Sequence, residues 1–283
     1  MQKGFSYNAV QKRTRMRPAA SRRPGPEESE MTNITRRRIL MAAAATGASA
    51  GAAAAPAPAA REDADALAIR NRLLSVKNRA PSITADEKYC ALLAAATAEG
   101  MPEAAAETAL RAAKDGVSAA VIHEAIFQTA PYSGIARADA ALRAAARELE
   151  KAGISFPESL AAVTDADRFE KGLAVQTGIF GEAIRKMHEG CAEGERALIV
   201  EDLSGWCFGD YYTRKGLSVK DRELVTFTAI AAMGGCEPQL KAHIGACLKE
   251  GFTKQNLIDA LQAALPYLGF PRTLNALGLV RAA

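Results

Sequence analysis

The residues best equipped for chemistry in this chain lie between positions 206 and 267. Cys236, Gln239, His243 and Cys247 are spaced so that a helix gathers them into one stripe. Glu223 sits on the preceding segment and is placed to take one imidazole nitrogen of His243. Gln239, one turn before His243, is placed to take the other and set the tautomer. A carboxylate-oriented imidazole is the usual general acid/base. The same residues also suit a core histidine bonded to a backbone carbonyl. Cys236 follows Gly234-Gly235 and opens a helix, where the N-terminus favours a thiolate; a reactive thiol and a small packing residue both fit. Trp206, Asp210, Tyr211 and Arg214 form a polar-aromatic segment suited to a pocket mouth. The guanidinium suits bidentate pairing with a substrate carboxylate, or an ordinary surface ion pair. Tyr267 is counted with these substrate-binding candidates, although its recurrence in a repeat also suits packing.

That repeat organises the elements that must position the site. Residues 83–145 and 217–280 read as two copies of one helical unit, offset by 135. Pro131, Tyr132, Gly134 and Arg137 recur as Pro266, Tyr267, Gly269 and Arg272, and Lys114 and Gly116 as Lys249 and Gly251. Where the second copy has Glu223, Cys236 and His243, the first has Lys88, Met101 and Thr108, so one copy is equipped and the other is scaffold. Strand signals are scarce and alanine, the best helix former, is abundant. Helix signals come one after another: Thr84, Ser118, Ser218 and Thr253 as N-caps, Pro102 at a first helical position, Gly116 and Gly251 as stops. The expected fold is all-α, two tandem helical units packed as a pseudo-dimer. The expected bounds are a leader over 1–60, a degenerate unit over 61–153, a linker over 154–166 and the site-bearing unit over 167–283. A helix from Glu195 to about Trp206 should precede the polar-aromatic segment.

The formal charge of +4 divides unevenly: residues 1–60 carry +7 and the rest −3. A mildly acidic body argues against nucleic acid, whose partners show clustered basic faces. The basic leader has its own reading. Thr35-Arg36-Arg37-Arg38-Ile39-Leu40 resembles a twin-arginine export signal, followed by a weakly apolar Ala/Gly run and Ala-Pro-Ala steps suited to cleavage. The expectation is a periplasmic or secreted protein with no stable membrane association after cleavage. A transmembrane anchor is the alternative, disfavoured because Ala and Gly insert weakly. Five cysteines without a C-x-x-C, and His123 and His188 without ligand spacing, predict neither a disulfide scaffold nor a metal site.

Trp206 to Arg214, Arg222-Glu223-Leu224, Gly235 to His243 and Pro266 to Ala276 together resemble the carboxymuconolactone decarboxylase family, strongly over 167–283 and weakly over 83–150. The resemblance implies the all-helical alkylhydroperoxidase D-like fold. The alkylhydroperoxidase branch pairs a glutamate with two cysteines two residues apart and a histidine beyond. Glu223, Cys236 and His243 match, but Gln239 replaces the second cysteine, which removes the dithiol. The implied function is a cofactor-free lyase acting on a small carboxylated lactone or related cyclic acid, with His243 as acid/base, Glu223 orienting it and Gln239 assisting. A thiol-dependent peroxidase using Cys236 is the alternative. A non-catalytic exported ligand-binding oligomer is a third reading. The expected partners are a small carboxylated molecule and further copies of the chain, a trimer of two-unit chains being one arrangement.

Overall fold

A computed structural model describes residues 63–75 and 79–283. The leader and twin-arginine segment expected over 1–60 lie outside the described residues. Residues 61–283 form one compact unit.

Among the described residues eleven α-helices occur: α1 Ala64–Leu73, α2 Ala85–Ala98, α3 Pro102–Lys114, α4 Ala119–Phe127, α5 Ala130–Ser133, α6 Ile135–Lys151, α7 Arg168–Phe180, α8 Glu182–Glu189, α9 Val219–Met233, α10 Glu237–Lys249 and α11 Lys254–Ala282. A wide π-helix spans Ala197–Tyr212 between α8 and α9. No strand occurs among the described residues. No helix among them is long and apolar enough to cross a membrane.

Two helices form the centre. Lys88 to Ala98 of α2 and Arg222 to Ala232 of α9 are buried without interruption. A helix covered on every side belongs in a core rather than at a surface. Alanines on α2 let it approach α9 closely, and Leu224, Phe227 and Ile230 fill the layer between. Each such apolar side chain contributes about 1.5–3 kcal/mol on burial. Around this pair α3 packs on α6, α11 on α2, and α7 along the π-helix.

Local chemistry sets the boundaries. Thr84 and Glu87 form a reciprocal capping box at the start of α2. Ser118, Ser218 and Thr253 cap α4, α9 and α11. The boundaries repeat at the 135-residue offset: α3 at 102–114 answers α10 at 237–249. Left-handed glycines at 100, 116 and 134 answer those at 235, 251 and 269. Gly269 (φ 68°) breaks α11 where Gly134 (φ 92°) separates α5 from α6.

The segment before α9 differs from expectation. Instead of a helix ending near Trp206 ahead of the polar-aromatic segment, one π-helix continues through that segment to Tyr212. Its contact with α7 explains why glycines stand there. A Cβ on Gly172 of α7 would fall on the Ser204 carbonyl, and one on Gly209 on the Arg168 carbonyl. Ser204 donates to Gln176 across the same seam at 2.7 Å, with both side chains buried.

Candidate active site

Glu223 projects from the central helix α9 and is fully buried. His243 projects from α10 beside it, its Nδ1 2.7 Å from Glu223 Oε2. A carboxylate only accepts, so the ring donates from Nδ1. That leaves Nε2 on the opposite side of the ring, with no hydrogen-bond partner among the described residues. The ring is clamped edge-on by Tyr132 and Phe180, each centroid 5.4 Å away. Its imidazole forms part of the wall of a cavity of about 530 Å³.

Most of that wall is apolar: Phe180, Ile184 and Met187 from α7 and α8, and Leu203, Trp206 and Phe208 from the π-helix. The i→i+5 ladder of a π-helix brings residues four to five apart onto one face. Leu198, Asp202, Leu203 and Cys207 reach the cavity in this way. Pro131 and Tyr132 close it from the first half of the chain. Cys207 is the thiol on this wall, and burial pushes it up to about 12, so it keeps its proton.

The candidate residues separate into those the cavity gathers and those it does not. His243, Gln239 and Trp206 line it. Glu223 stands directly behind His243. Gln239 is exposed at the wall and forms no hydrogen bond to His243; the ring's hydrogen bond goes to Glu223. Cys236 lines a separate narrow cleft with Gly234, Arg272 and Asn275. Cys247 is fully buried, its thiol pushed well up by burial.

Four substrate-binding candidates sit elsewhere. Arg214 pairs with Glu124 at 2.9 Å and lies over the Phe127 ring. Asp210 pairs with Arg168 at 2.5 Å. Tyr211 is buried between Phe127 and Trp206. Tyr267 lies 2.8 Å from Thr108, hydroxyl to hydroxyl. Thr108 holds the position that answers His243, and Tyr267 the one that answers Tyr132. At the reciprocal position the histidine–tyrosine edge contact is thus replaced by a direct hydrogen bond.

A buried polar chain extends from the cavity into the core. The Tyr132 and Tyr212 hydroxyls meet at 2.9 Å, and Tyr212 meets Thr226 at 3.0 Å. Beyond them Arg222, fully buried, donates to Gln128 and to Glu124, each at 2.9 Å. Burial pushes both phenols well above their ordinary range, so they remain protonated. The Tyr132 contact with the histidine was missed by the sequence reading, in which its recurrence as Tyr267 argued for packing. The spacing of four to five from Leu198 through Leu203 to Cys207 is a signal that an α-helical period conceals.

Among the described residues no group of His, Cys, Asp and Glu is arranged to hold a metal ion. Residues 198–282 match the carboxymuconolactone decarboxylase family. The 4-carboxymuconolactone decarboxylase of Acinetobacter baylyi is 28% identical over 116 residues, covering 41% of this chain and 85% of that protein. An "uncharacterized 15.0 kDa protein in nqo9-nqo10 intergenic region" of Paracoccus denitrificans is 31% identical over 84 residues, 29% of this chain and 63% of that protein. The similarity to the carboxymuconolactone decarboxylase family thus lies in the C-terminal part of the chain, which holds Glu223 and His243.

Proposed function

We propose that the chain is a carboxy-lyase that releases CO2 from a small carboxylated lactone or related cyclic acid, with His243 as its acid. The observation that carries this reading is the Glu223–His243 pair at the wall of a largely apolar cavity. Decarboxylation breaks the bond between the carboxylate and its carbon. The electron pair stays on that carbon and spreads into a neighbouring carbonyl. The imidazolium of His243 then gives its Nε2 proton to the carbon and recovers one from solvent. Glu223 offsets the imidazolium charge and fixes the ring, so little reorganisation is needed as charge develops. Tyr132 and Phe180 hold the ring plane.

The test is CO2 release by the full chain and by His243→Ala from a panel of carboxylated lactones and cyclic β-keto acids, 4-carboxymuconolactone among them. Release by the parent protein, slowed by about 10²- to 10⁴-fold in the variant, is expected for a lost general acid. No release from any acid, or undiminished release by His243→Ala, defeats the reading.

A further inference from the structure

We infer that the Tyr132 hydroxyl is the oxyanion donor of the cavity: it holds the enolate oxygen of the substrate while His243 protonates the neighbouring carbon. The inference deepens the lyase reading and rests on it for the reaction; the donor itself is read from the hydrogen bonds behind the wall. Tyr132 and Cys207 both line the cavity, and their polar ends meet at 3.8 Å. The Tyr132 ring also stands edge-on to His243, so the phenol adjoins the acid of the reaction.

The direction of these hydrogen bonds is set from the core. Arg222 is fully buried and only donates, so the Gln128 atom it meets at 2.9 Å is the carbonyl oxygen. The Gln128 amide nitrogen is thereby turned to Thr226, to which it donates at 3.5 Å. Thr226 in turn donates to the Tyr212 oxygen at 3.0 Å, and Tyr212 to the Tyr132 oxygen at 2.9 Å. In the opposite sense the Thr226 proton would be buried without another acceptor among the described residues, which costs stability. Cys207 keeps its proton and donates to the same Tyr132 oxygen. With both donors on its oxygen, Tyr132 has its own proton left for the cavity. A chain polarised in one direction from a guanidinium strengthens its last donor.

When the carboxylate leaves as CO2, the electron pair of the broken carbon–carbon bond moves onto the adjoining carbonyl, and its oxygen becomes anionic. A fixed O–H aimed at that oxygen is worth most in a largely apolar cavity. Burial holds the Tyr132 phenol well above its ordinary range, so it bonds the oxygen without surrendering its proton. The His243 proton goes to carbon, and the carbonyl re-forms. Gln176 also lines the wall, its carbonyl oxygen taken by Ser204. No bond among the described residues ties its amide nitrogen to a buried charge, as the chain from Arg222 ties Tyr132.

Trp206 is the single tryptophan of the chain and lies in the wall, so its quenching by nitroaromatics reports occupancy. The full chain, Tyr132→Phe and Gln176→Met would be titrated with 4-nitrophenolate, whose anionic oxygen stands in for the enolate, and with 4-nitrotoluene, in which a methyl group replaces it. Tyr132→Phe should weaken the phenolate at least about tenfold, as for a lost charge-assisted hydrogen bond, and leave nitrotoluene within about twofold. Lys186 and Lys241, exposed on α8 and α10, attract the anion alike in every form and so cancel from the comparison. Equal loss of both ligands would make Tyr132 a packing residue, and a phenolate loss confined to Gln176→Met would move the role to Gln176; either result, or no binding of the phenolate by the parent, overturns the inference. On an acid that yields CO2, Tyr132→Phe should lower kcat by about 10²- to 10³-fold; undiminished release overturns the inference while the lyase reading stands. If the phenolate result holds and no acid yields CO2, the lyase reading falls and the donor stands.

Discussion

Replacing Glu223 with glutamine should slow the reaction and strengthen the fold. One carboxylate oxygen receives the His243 Nδ1 proton at 2.7 Å. The other oxygen is buried without a hydrogen-bond partner. A charge-assisted hydrogen bond contributes about 1.5–3 kcal/mol. If that contribution acts on the imidazolium in the proton-transfer step, losing it slows CO2 release by about 10- to 150-fold. Stability moves the other way. An unsatisfied buried polar group costs about 1–3 kcal/mol, and more when charged. A neutral amide of the same shape still accepts from Nδ1 and removes the buried charge. Unfolding free energy should therefore rise by about 1 kcal/mol or more, raising the melting temperature of a unit this size by about 2–4 °C per kcal/mol. Initial rates of CO2 release and urea unfolding midpoints, measured on the same preparations, give both signs. A variant that loses stability together with activity would make Glu223 a structural residue that happens to touch a histidine. A rate unchanged within about twofold would show that the pair does no work in the reaction.

Glu124→Ala should destabilise the fold by about 3–5 kcal/mol, because it strands the fully buried Arg222; a urea midpoint unchanged from the parent would contradict this. Burial alone would raise the Glu124 carboxyl, but bonds from His123 and Arg214 and the charge of Arg222 outweigh it and hold it below the usual range. Its contribution is therefore present above the unfolded-state carboxylate value and is lost as pH falls through the lowered folded value. The acid limb of a stability–pH curve should flatten in Glu124→Gln. Gly209→Ala should cost at least about 1–3 kcal/mol, since its Cβ would meet the Arg168 backbone; thermal unfolding reads this, and an unaltered melting temperature refutes the close packing of α7 on the π-helix. Cys207 should resist iodoacetamide near neutral pH although it reaches the cavity; rapid labelling located there by peptide mass would refute its protonated state. The basic leader, proposed as a twin-arginine signal, should carry the protein out of the cytoplasm, and Arg36→Lys/Arg37→Lys/Arg38→Lys should retain it inside; equal fractionation of both forms counts against export by that route.

Legibility in the sequence followed the range of the interaction. N-caps at Thr84, Ser118, Ser218 and Thr253 and stops at glycine depend on neighbours three or four residues away, so residue types alone announce them. The approach of Glu223 to His243 was legible because both lie on helices with a short turn between, and the family resemblance pointed to the same pair. For Arg214 an ion pair was among the readings, but its partner was not legible, for the opposite reason. It follows Trp206 closely in the chain, but its partner Glu124 is 90 residues away and no local pattern joins them. For Tyr267 packing was among the readings, but its partner, Thr108, is 159 residues away and was not legible. The π-helix escaped notice because its widened turn shifts which side chains share a face. That shift took Asp202 and Cys207 to the cavity while Asp210 and Tyr211 turned elsewhere.

The cavity draws Tyr132 from one half of the polypeptide and His243 from the other, while Thr108 and Tyr267 close the reciprocal position. In a symmetric pair of separately encoded subunits, any substitution appears twice, so a change that spoils one centre spoils both. Joining the halves in a single gene product removes that constraint. One centre can be given up to cohesion, and its position free to accumulate substitutions that favour folding alone. The surviving centre then answers to selection for chemistry without burdening its counterpart. A molecule built in this way should contain one reactive centre per polypeptide, and its two halves should tolerate quite different sets of mutations.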